Sequence, residues 1–170
     1  MRRAARQSGM TLLEILLVIT IIGIMLAMFG VSYVRSIRSA ELREAAAQVA
    51  TDLRRARSQV QRSSTNITLS WTPDSEGRVS AYTVGTDPAR SLPNGVTLKC
   101  VSGCTAPAGA PAGTNYNSIT YTAPYGELAT QNGAINGKRF VLSSPATGIT
   151  PLEVRVVGVT GKVILTRGTS

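Results

Sequence analysis

The chain has 170 residues, with 18 Lys and Arg against 9 Asp and Glu and a formal net charge of +9, which suits one modest basic domain with an appendage. It contains no histidine, so the commonest general base and the commonest metal ligand are both missing. The two cysteines are too few to build a zinc site without histidine. This composition argues against an enzyme and against a bound metal or cofactor.

The first segment of the chain is short and basic, and a long apolar run follows it. Residues 1–9 read MRRAARQSG, with three arginines and no apolar core. Residues 15–34 contain neither a charge nor a proline, and at about 1.5 Å per residue they span roughly 30 Å, the thickness of a bilayer core. Because the arginines precede the span, the positive-inside rule predicts a single-pass membrane protein with a cytoplasmic N-terminus.

One carboxylate interrupts the apolar run, at Glu14. A charged side chain costs about 2.5–3.5 kcal/mol at the centre of a bilayer and less near its edge. One interpretation places Glu14 at the interface, where water solvates it. The other treats it as a functional group whose partner is still to be found, which is the default for an acid inside a membrane span.

The junction between leader and span carries a motif. Gly9, Met10 and the following residues as far as Glu14 read GMTLLE, which resembles the prepilin signal of type IV pilin-like proteins. The resemblance implies that a prepilin peptidase cuts between Gly9 and Met10 and methylates the new N-terminus. It also implies that Glu14, then the fifth residue, meets the N-terminal amine of a neighbouring subunit during assembly. Opposite charges that neutralise each other in this way can remain in lipid or in a dry filament core.

A second helical segment continues from the span. Residues 35–62 contain no Gly or Pro and are rich in good helix formers. The pattern predicts one helix from about Thr11 to about Ser63, lipid-soluble in its first half and amphipathic in its second. Arginines on its other faces form either a solvated surface with i,i+4 ion pairs or an anion-facing surface. The predicted apolar stripe consists of Leu42, Ala45, Val49, Leu53, Ala56 and Val60.

Residues 50–71 resemble one particular group of these proteins. Their sequence, ATDLRRARSQVQRSSTNITLSW, resembles the signature of the GspH/FimT pseudopilins. The resemblance includes a change from helix to strand, and alternation of apolar with polar residues after Asn66 supports it. The residues in the corresponding places are Leu53, Ala56, Arg57, Val60, Arg62, Ile67 and Leu69.

The remaining chain is β-like, since short alternating runs are bounded by turn residues. We predict strands over 78–84, 95–101, 118–122, 139–143, 153–157 and 162–166. We predict turns at Asn94-Gly95, Asn132-Gly133 and Asn136-Gly137, an exposed loop over 105–114, and a hairpin turn at Gly161. The fold class is therefore α+β, a long N-terminal helix packed on an antiparallel β-sheet domain. The predicted organisation is a leader over 1–9, a transmembrane and assembly helix over 10–34, an amphipathic half over 35–63 and a β-rich domain over 64–170.

Two cysteines, Cys100 and Cys104, enclose three residues. The β-rich domain lies outside the cytoplasm once the span is inserted, so oxidation is permitted there. A disulfide that closes so small a loop contributes roughly 2 kcal/mol through chain entropy. We predict a local structural clip without a redox role.

The resemblance implies a structural function, that of a minor pilin or pseudopilin in a type IV pilus or a type II secretion pseudopilus. The implied partners are prepilin peptidase, other pilin or pseudopilin subunits, the inner-membrane assembly platform and inner-membrane lipid. The globular domain is expected in the periplasm before assembly. The alternative is a FimT-like minor pilin that binds DNA during uptake for natural transformation. Its candidate phosphate contacts are the basic residues of the C-terminal strands, Lys138, Arg139, Arg155, Lys162 and Arg167.

Overall fold

The computed structural model of the chain describes residues 11–104, 117–129 and 137–168. Several predicted features lie outside the described residues: the leader, the processing residues Gly9 and Met10, the loop over 105–114 and the turn at Asn132-Gly133. The chain divides into two compact units, one ending at Ile37 and the other beginning at Arg38.

The first unit is the start of one long helix, α1, Leu12–Ser63. The hydroxyl of Thr11 accepts a hydrogen bond from the Glu14 N–H at 3.3 Å, which caps the helix at its N-terminus. Every side chain described between Thr11 and Ile37 is exposed. This part of α1 is long and apolar enough to cross a membrane. The hydroxyl of Thr20 donates to the Leu17 carbonyl at 2.8 Å, so it needs no water.

The second half of α1 belongs to the folded domain. All six residues of the predicted apolar stripe are buried, and Ala46 and Ala50 are buried beside them. The prediction of an amphipathic helix is therefore confirmed, and its end at Ser63 agrees with the sequence pattern. Ser64 ends the helix in the left-handed region, with φ of 53°, and its N–H donates to the Val60 carbonyl.

Within the described residues, two five-stranded sheets follow the helix, and every strand pairing is antiparallel. Sheet 1 has the order β4-β3-β1-β6-β7, and sheet 2 has the order β10-β9-β8-β5-β2. The strands are β1 Ile67–Trp71, β2 Arg78–Val79, β3 Ala81–Val84, β4 Arg90–Ser91, β5 Thr97–Ser102, β6 Ser118–Thr122, β7 Glu127–Leu128, β8 Lys138–Ser143, β9 Leu152–Val156 and β10 Val163–Arg167.

The strand predictions are confirmed in outline, with two corrections. The predicted strand over 78–84 is broken at Ser80, because β2 pairs with β5 in sheet 2 whereas β3 pairs with β1 in sheet 1. The predicted strand over 95–101 begins later, at Thr97. Asn94 and Gly95 have positive φ, 53° and 73°, and form the predicted turn within a short 3₁₀ helix, Pro93–Gly95.

A single core joins the helix to both sheets. Val49 and Leu53 of α1 face side chains from sheet 1 and sheet 2 around a void of about 20 Å³. Trp71 of sheet 1 and Phe140 of sheet 2 make an edge-to-face contact with ring centroids 5.1 Å apart. The domain is therefore organised around α1, with each sheet contributing one apolar face.

Candidate functional site

Glu14 lies in the first turn of α1, where its own N–H is capped by Thr11. A carboxylate at this end of a helix is favoured by the helix dipole, independently of any second subunit. The side chain is exposed. Its predicted contact with the amine of a neighbouring chain involves another molecule and stays a prediction.

The C-terminal turns of α1 bind the backbone of the β domain through long polar side chains. Arg57 Nε donates to the Gly126 carbonyl at 3.3 Å, and Gln61 Nε2 donates to the Tyr125 carbonyl at 2.9 Å. Arg54 Nη2 donates to the Val163 carbonyl at 3.4 Å. Arg54 and Arg57 therefore each bind a backbone carbonyl of the β domain of their own chain.

Two glycines allow this close approach of turn and helix. Gly126 and Gly161 both have positive φ, 66° and 61°. A Cβ at Gly126 would lie 2.9 Å from Arg57 Cγ, and one at Gly161 would lie 2.8 Å from Tyr121 Cε1. Tyr121 is fully buried, and burial raises the pKa of its hydroxyl. Among the described residues, that hydroxyl has no hydrogen-bond partner.

A buried acid on α1 was not expected from the sequence. Asp52 is 5% exposed, although it is a charged residue in a segment rich in exposed charges. Its carboxylate accepts hydrogen bonds from Arg90 Nη1 at 2.6 Å and from the Tyr82 hydroxyl at 2.7 Å. Burial, and then the Asp52 hydrogen bond, raise the pKa of Tyr82. No local pattern pointed to this contact, because Arg90 is 38 residues away and sits on a two-residue strand.

Lys138, one of the five predicted DNA contacts, corrects the sequence analysis. Cys100 and Cys104 form the predicted disulfide, and Lys138 Nζ donates to the carbonyl of Gly103 within that loop at 2.7 Å. The ammonium also lies 5.6 Å from the centre of the Trp71 ring. Lys138 is only 4% exposed, and burial lowers its pKa to about 8. It is an inward-facing residue of β8, and its ammonium is bound by the backbone of its own chain.

The other four predicted cations do not form one cluster. Arg139 and Arg155 are directly opposite each other on β8 and β9, and both are exposed on the outer face of sheet 2. Lys162 is exposed in the turn before β10. Arg167 is opposite Leu152 and therefore projects from the other face of the same sheet.

A groove of about 650 Å³ surrounds the Arg139–Arg155 pair. Its walls include Ser102, Val159 and Ile164. Glu153 Oε1 lies 4.0 Å from Arg139 Nε, whereas Arg155 makes no ion pair in the part of the chain that the structure describes. The described residues include no group of three or more acidic, cysteine or histidine side chains that could hold a metal ion.

The N-terminal motif and the fold both match known proteins. Residues 4–30 match the family model described as the prokaryotic N-terminal methylation motif. The structure resembles the type IV minor pilin FimU of Pseudomonas aeruginosa strain PAO1 in two crystal forms, each with a TM-score of 0.51 and 13% identity. The matches cover 76% and 75% of this chain and 90% and 98% of the FimU chains. No curated protein matches this chain in sequence.

Each comparison bears on a different part of the molecule. The motif match covers residues 4–30, which include most of the predicted leader, the predicted processing site and most of the apolar run. The structural match is too distant in sequence to show more than the fold, and that fold is the predicted one of a long helix on antiparallel sheets. Motif and fold together are those of type IV pilin-like proteins.

Proposed function

We propose that this type IV pilin-like chain is a minor pilin or pseudopilin, a structural subunit of a type IV pilus or of a type II secretion pseudopilus. The observation that carries the proposal is the division within α1. The described side chains of its first half are apolar for the most part and exposed, whereas one face of its second half is buried in the core of a folded domain. The first half needs an apolar environment, which lipid supplies before assembly and packed helices supply afterwards.

Glu14 sets how neighbouring subunits are positioned relative to one another in this apolar environment. A lone carboxylate is costly in lipid, and the cost falls when an opposite charge neutralises it. The methylated amine that processing creates on a neighbouring subunit is such a charge. In each processed chain the amine comes before Glu14 in the sequence. The amine of one chain therefore reaches the Glu14 of another when the two chains are displaced along the filament axis.

The finer assignment to the GspH/FimT group is supported by what the signature residues do. Leu53, Ala56 and Val60 are buried in the core, and Arg57 binds the turn before β7. The signature therefore describes how α1 is fastened to the β domain. By resemblance, pilus and pseudopilus subunits share the prepilin signal and the long helix, so the proposal covers both machines.

The remaining partners follow from the same proposal. The leader and its glycine are the substrate of prepilin peptidase, and the exposed helix requires inner-membrane lipid and an assembly platform. The disulfide between Cys100 and Cys104 suits a periplasmic domain. Catalysis has no part in this function.

A second candidate function is DNA binding by the same minor pilin. Arg139 and Arg155, with Lys162 in the adjoining turn, offer exposed positive charge on one sheet. Contacts of this kind to phosphates are independent of sequence and weaken with salt. Lys138 is removed from the site by its burial. The experiment described below for the same surface includes the DNA test.

The proposed function is tested through Glu14. We expect Glu14→Ala to insert in the membrane and keep its folded domain, but to enter filaments at least tenfold less than the parent, because the neighbouring amine loses its counter-charge. Glu14→Asp, which keeps the carboxylate, serves as the matched control. The measurement is the amount of chain in sheared, purified filaments relative to the membrane fraction. Absence of the parent chain from filaments contradicts the proposal, and assembly of Glu14→Ala at the parental level contradicts the role of Glu14.

A further inference from the structure

We propose that the groove around Arg139 and Arg155 is a docking site for an acidic segment of a neighbouring pilin-type subunit. The inference rests on the proposed function, because it requires that the chain assembles with other subunits. It names a contact surface on the β domain in addition to the apolar half of α1. The groove is lined by Ser102, Gly137, Arg139, Arg155, Val159 and Ile164, among others.

The groove contains two like charges on neighbouring strands. Arg139 and Arg155 are direct cross-strand neighbours in antiparallel register, and like charges in that arrangement destabilise a sheet. Glu153 is 4.0 Å from Arg139 and offsets one positive charge. Arg155 keeps its charge without an ion pair among the described residues.

The chain has no other acidic side chain to offer these arginines. All 9 Asp and Glu side chains of the sequence fall within the described residues, and none other than Glu153 makes an ion pair with this arginine pair. The positive charge of the groove is therefore matched by a carboxylate from outside the chain. Arginine favours carboxylates because its planar guanidinium can hold both oxygens at once.

The walls of the groove are partly apolar, which favours a peptide over nucleic acid as the occupant. Val159 is 57% exposed, and it lines the groove together with Ile164. A phosphate backbone gains little from such contacts, whereas a peptide with a carboxylate beside an apolar side chain gains from both. A groove of about 650 Å³ is also of the size that encloses a small ligand or a short peptide segment rather than a duplex.

The experiment uses the full chain in filament-producing cells, with a photo-crosslinking amino acid at position 159. We expect cross-links within filaments to a chain that carries a prepilin N-terminal motif, at a peptide containing Asp or Glu. The double variant Arg139→Glu with Arg155→Glu should reduce the cross-link yield at least tenfold. Lys99→Glu, which reverses an exposed charge on β5 of the same sheet, should change the yield less than twofold.

Two further measurements separate a docking site from other roles. Arg155→Thr removes the like-charge pair, so in the full chain in detergent it should leave the unfolding temperature unchanged or raise it, while the cross-link is lost. This loss of binding without loss of stability is the signature of a site kept for function. A fall of several degrees would assign Arg155 a structural role and overturn the inference.

The DNA arm is a mobility shift of the full chain in detergent with a short duplex, from 50 to 200 mM salt. DNA as the occupant predicts that the double arginine variant flattens the log–log salt slope by about two units, and that the cross-link at position 159 goes to DNA. That result overturns the proposal in favour of the second candidate function. If the parent chain enters filaments but charge reversal leaves the cross-link intact, only the docking inference fails. If the parent chain never enters filaments, the proposed function fails with it.

Discussion

The clearest lesson at the scale of single residues comes from Lys138. Its position beside Arg139 made it a candidate phosphate contact, and the structure places it in the core, whereas Arg139 is exposed. Adjacent residues of a strand point to opposite faces, so Lys138 shares the inner face of β8 with Phe140 and Leu142, which are buried, whereas Arg139 does not. The sequence pattern predicted that strand to start one residue too late, at Arg139 rather than Lys138, and an uncommon buried lysine was therefore missed.

Burial of Lys138 gives the stability of the domain a pH dependence. Its native pKa is about 8 whereas the ordinary value is 10.5, so between these pH values the unfolded chain binds more protons than the folded one. The free energy of unfolding should therefore increase as pH rises through this window. We expect a gain of about 1 kcal/mol from pH 7.5 to 9.5, allowing for partial solvent screening.

The measurement is denaturant unfolding of the full chain, followed by the fluorescence of Trp71, the single tryptophan, which is buried beside the Lys138 ammonium. Lys138→Met should remove the pH dependence in this window. Tyr82 and Tyr121, whose pKa values burial raises, act in the opposite direction only at higher pH. Equal pH dependence in parent and variant would show that Lys138 does not titrate in the folded state within this range.

Among the secondary-structure elements, the long ones were predicted from the sequence and the shortest ones were not. The apolar stripe on α1 repeats over many turns, so the sequence identified its six core residues correctly. Strands of four or more residues were found because two periods of alternation are visible in them. The two-residue strands β4 and β7 were missed, since a pair of residues has no period. Asp52 was misplaced for the same reason, because its partner Arg90 lies on β4.

The Asp52–Arg90 pair should behave as one coupled unit that fastens β4 to α1. Arg90→Met leaves the Asp52 carboxylate buried with only the Tyr82 hydroxyl, and we expect it to cost about 2 kcal/mol, less than a fully buried pair because Arg90 is partly exposed. The double variant Asp52→Asn with Arg90→Met should recover at least half of that loss. The measurement is the same Trp71 unfolding curve, analysed as a double-mutant cycle.

A surface ion pair of the same domain provides the control for that cycle. Arg78 pairs with Asp74 at 3.3 Å and with Glu76 at 3.0 Å, and all three side chains are largely exposed. Arg78→Met should therefore change the free energy of unfolding by no more than about 0.5 kcal/mol. If Arg90→Met costs as little as Arg78→Met, or if the double variant is no better than the single one, the coupling is absent.

The two units of the whole molecule suit different surroundings, the first an apolar one and the second water. The apolar unit is exposed throughout its described length, whereas the second unit has a core and a charged surface. Hydropathy alone predicted the first unit, because a long apolar run without charges is typical of a membrane-spanning helix. The grouping of Arg139 with Arg155 was beyond the sequence, since it depends on the register between β8 and β9. Register is set by the complete sheet and not by any one strand.

The remaining prediction concerns the leader, which decides whether the two units can act together. It carries 3 of the 18 basic residues, so cleavage leaves 15 Lys and Arg against 9 Asp and Glu and a net charge of +6. Cleavage would also create the amine that, in the proposed function, neutralises a neighbour's Glu14. An uncleaved chain would instead bring three arginines to the apolar helix ends, where burial of unpaired charge is unfavourable. We therefore expect chains purified from filaments to have lost residues 1–9 and gained one methyl group.

Intact-mass analysis of the membrane and filament fractions tests this directly. Gly9→Val should retain the leader, remain in the membrane fraction and be absent from filaments, because the peptidase acts after the glycine. Met10→Phe keeps a large apolar side chain directly after the predicted cleavage site and should be processed and assembled like the parent. Recovery of the parent chain from filaments with its leader intact would contradict cleavage as a condition of assembly. It would also leave Glu14 without its proposed partner, since an amine nine residues further from the helix could not reach the same position in the packed filament.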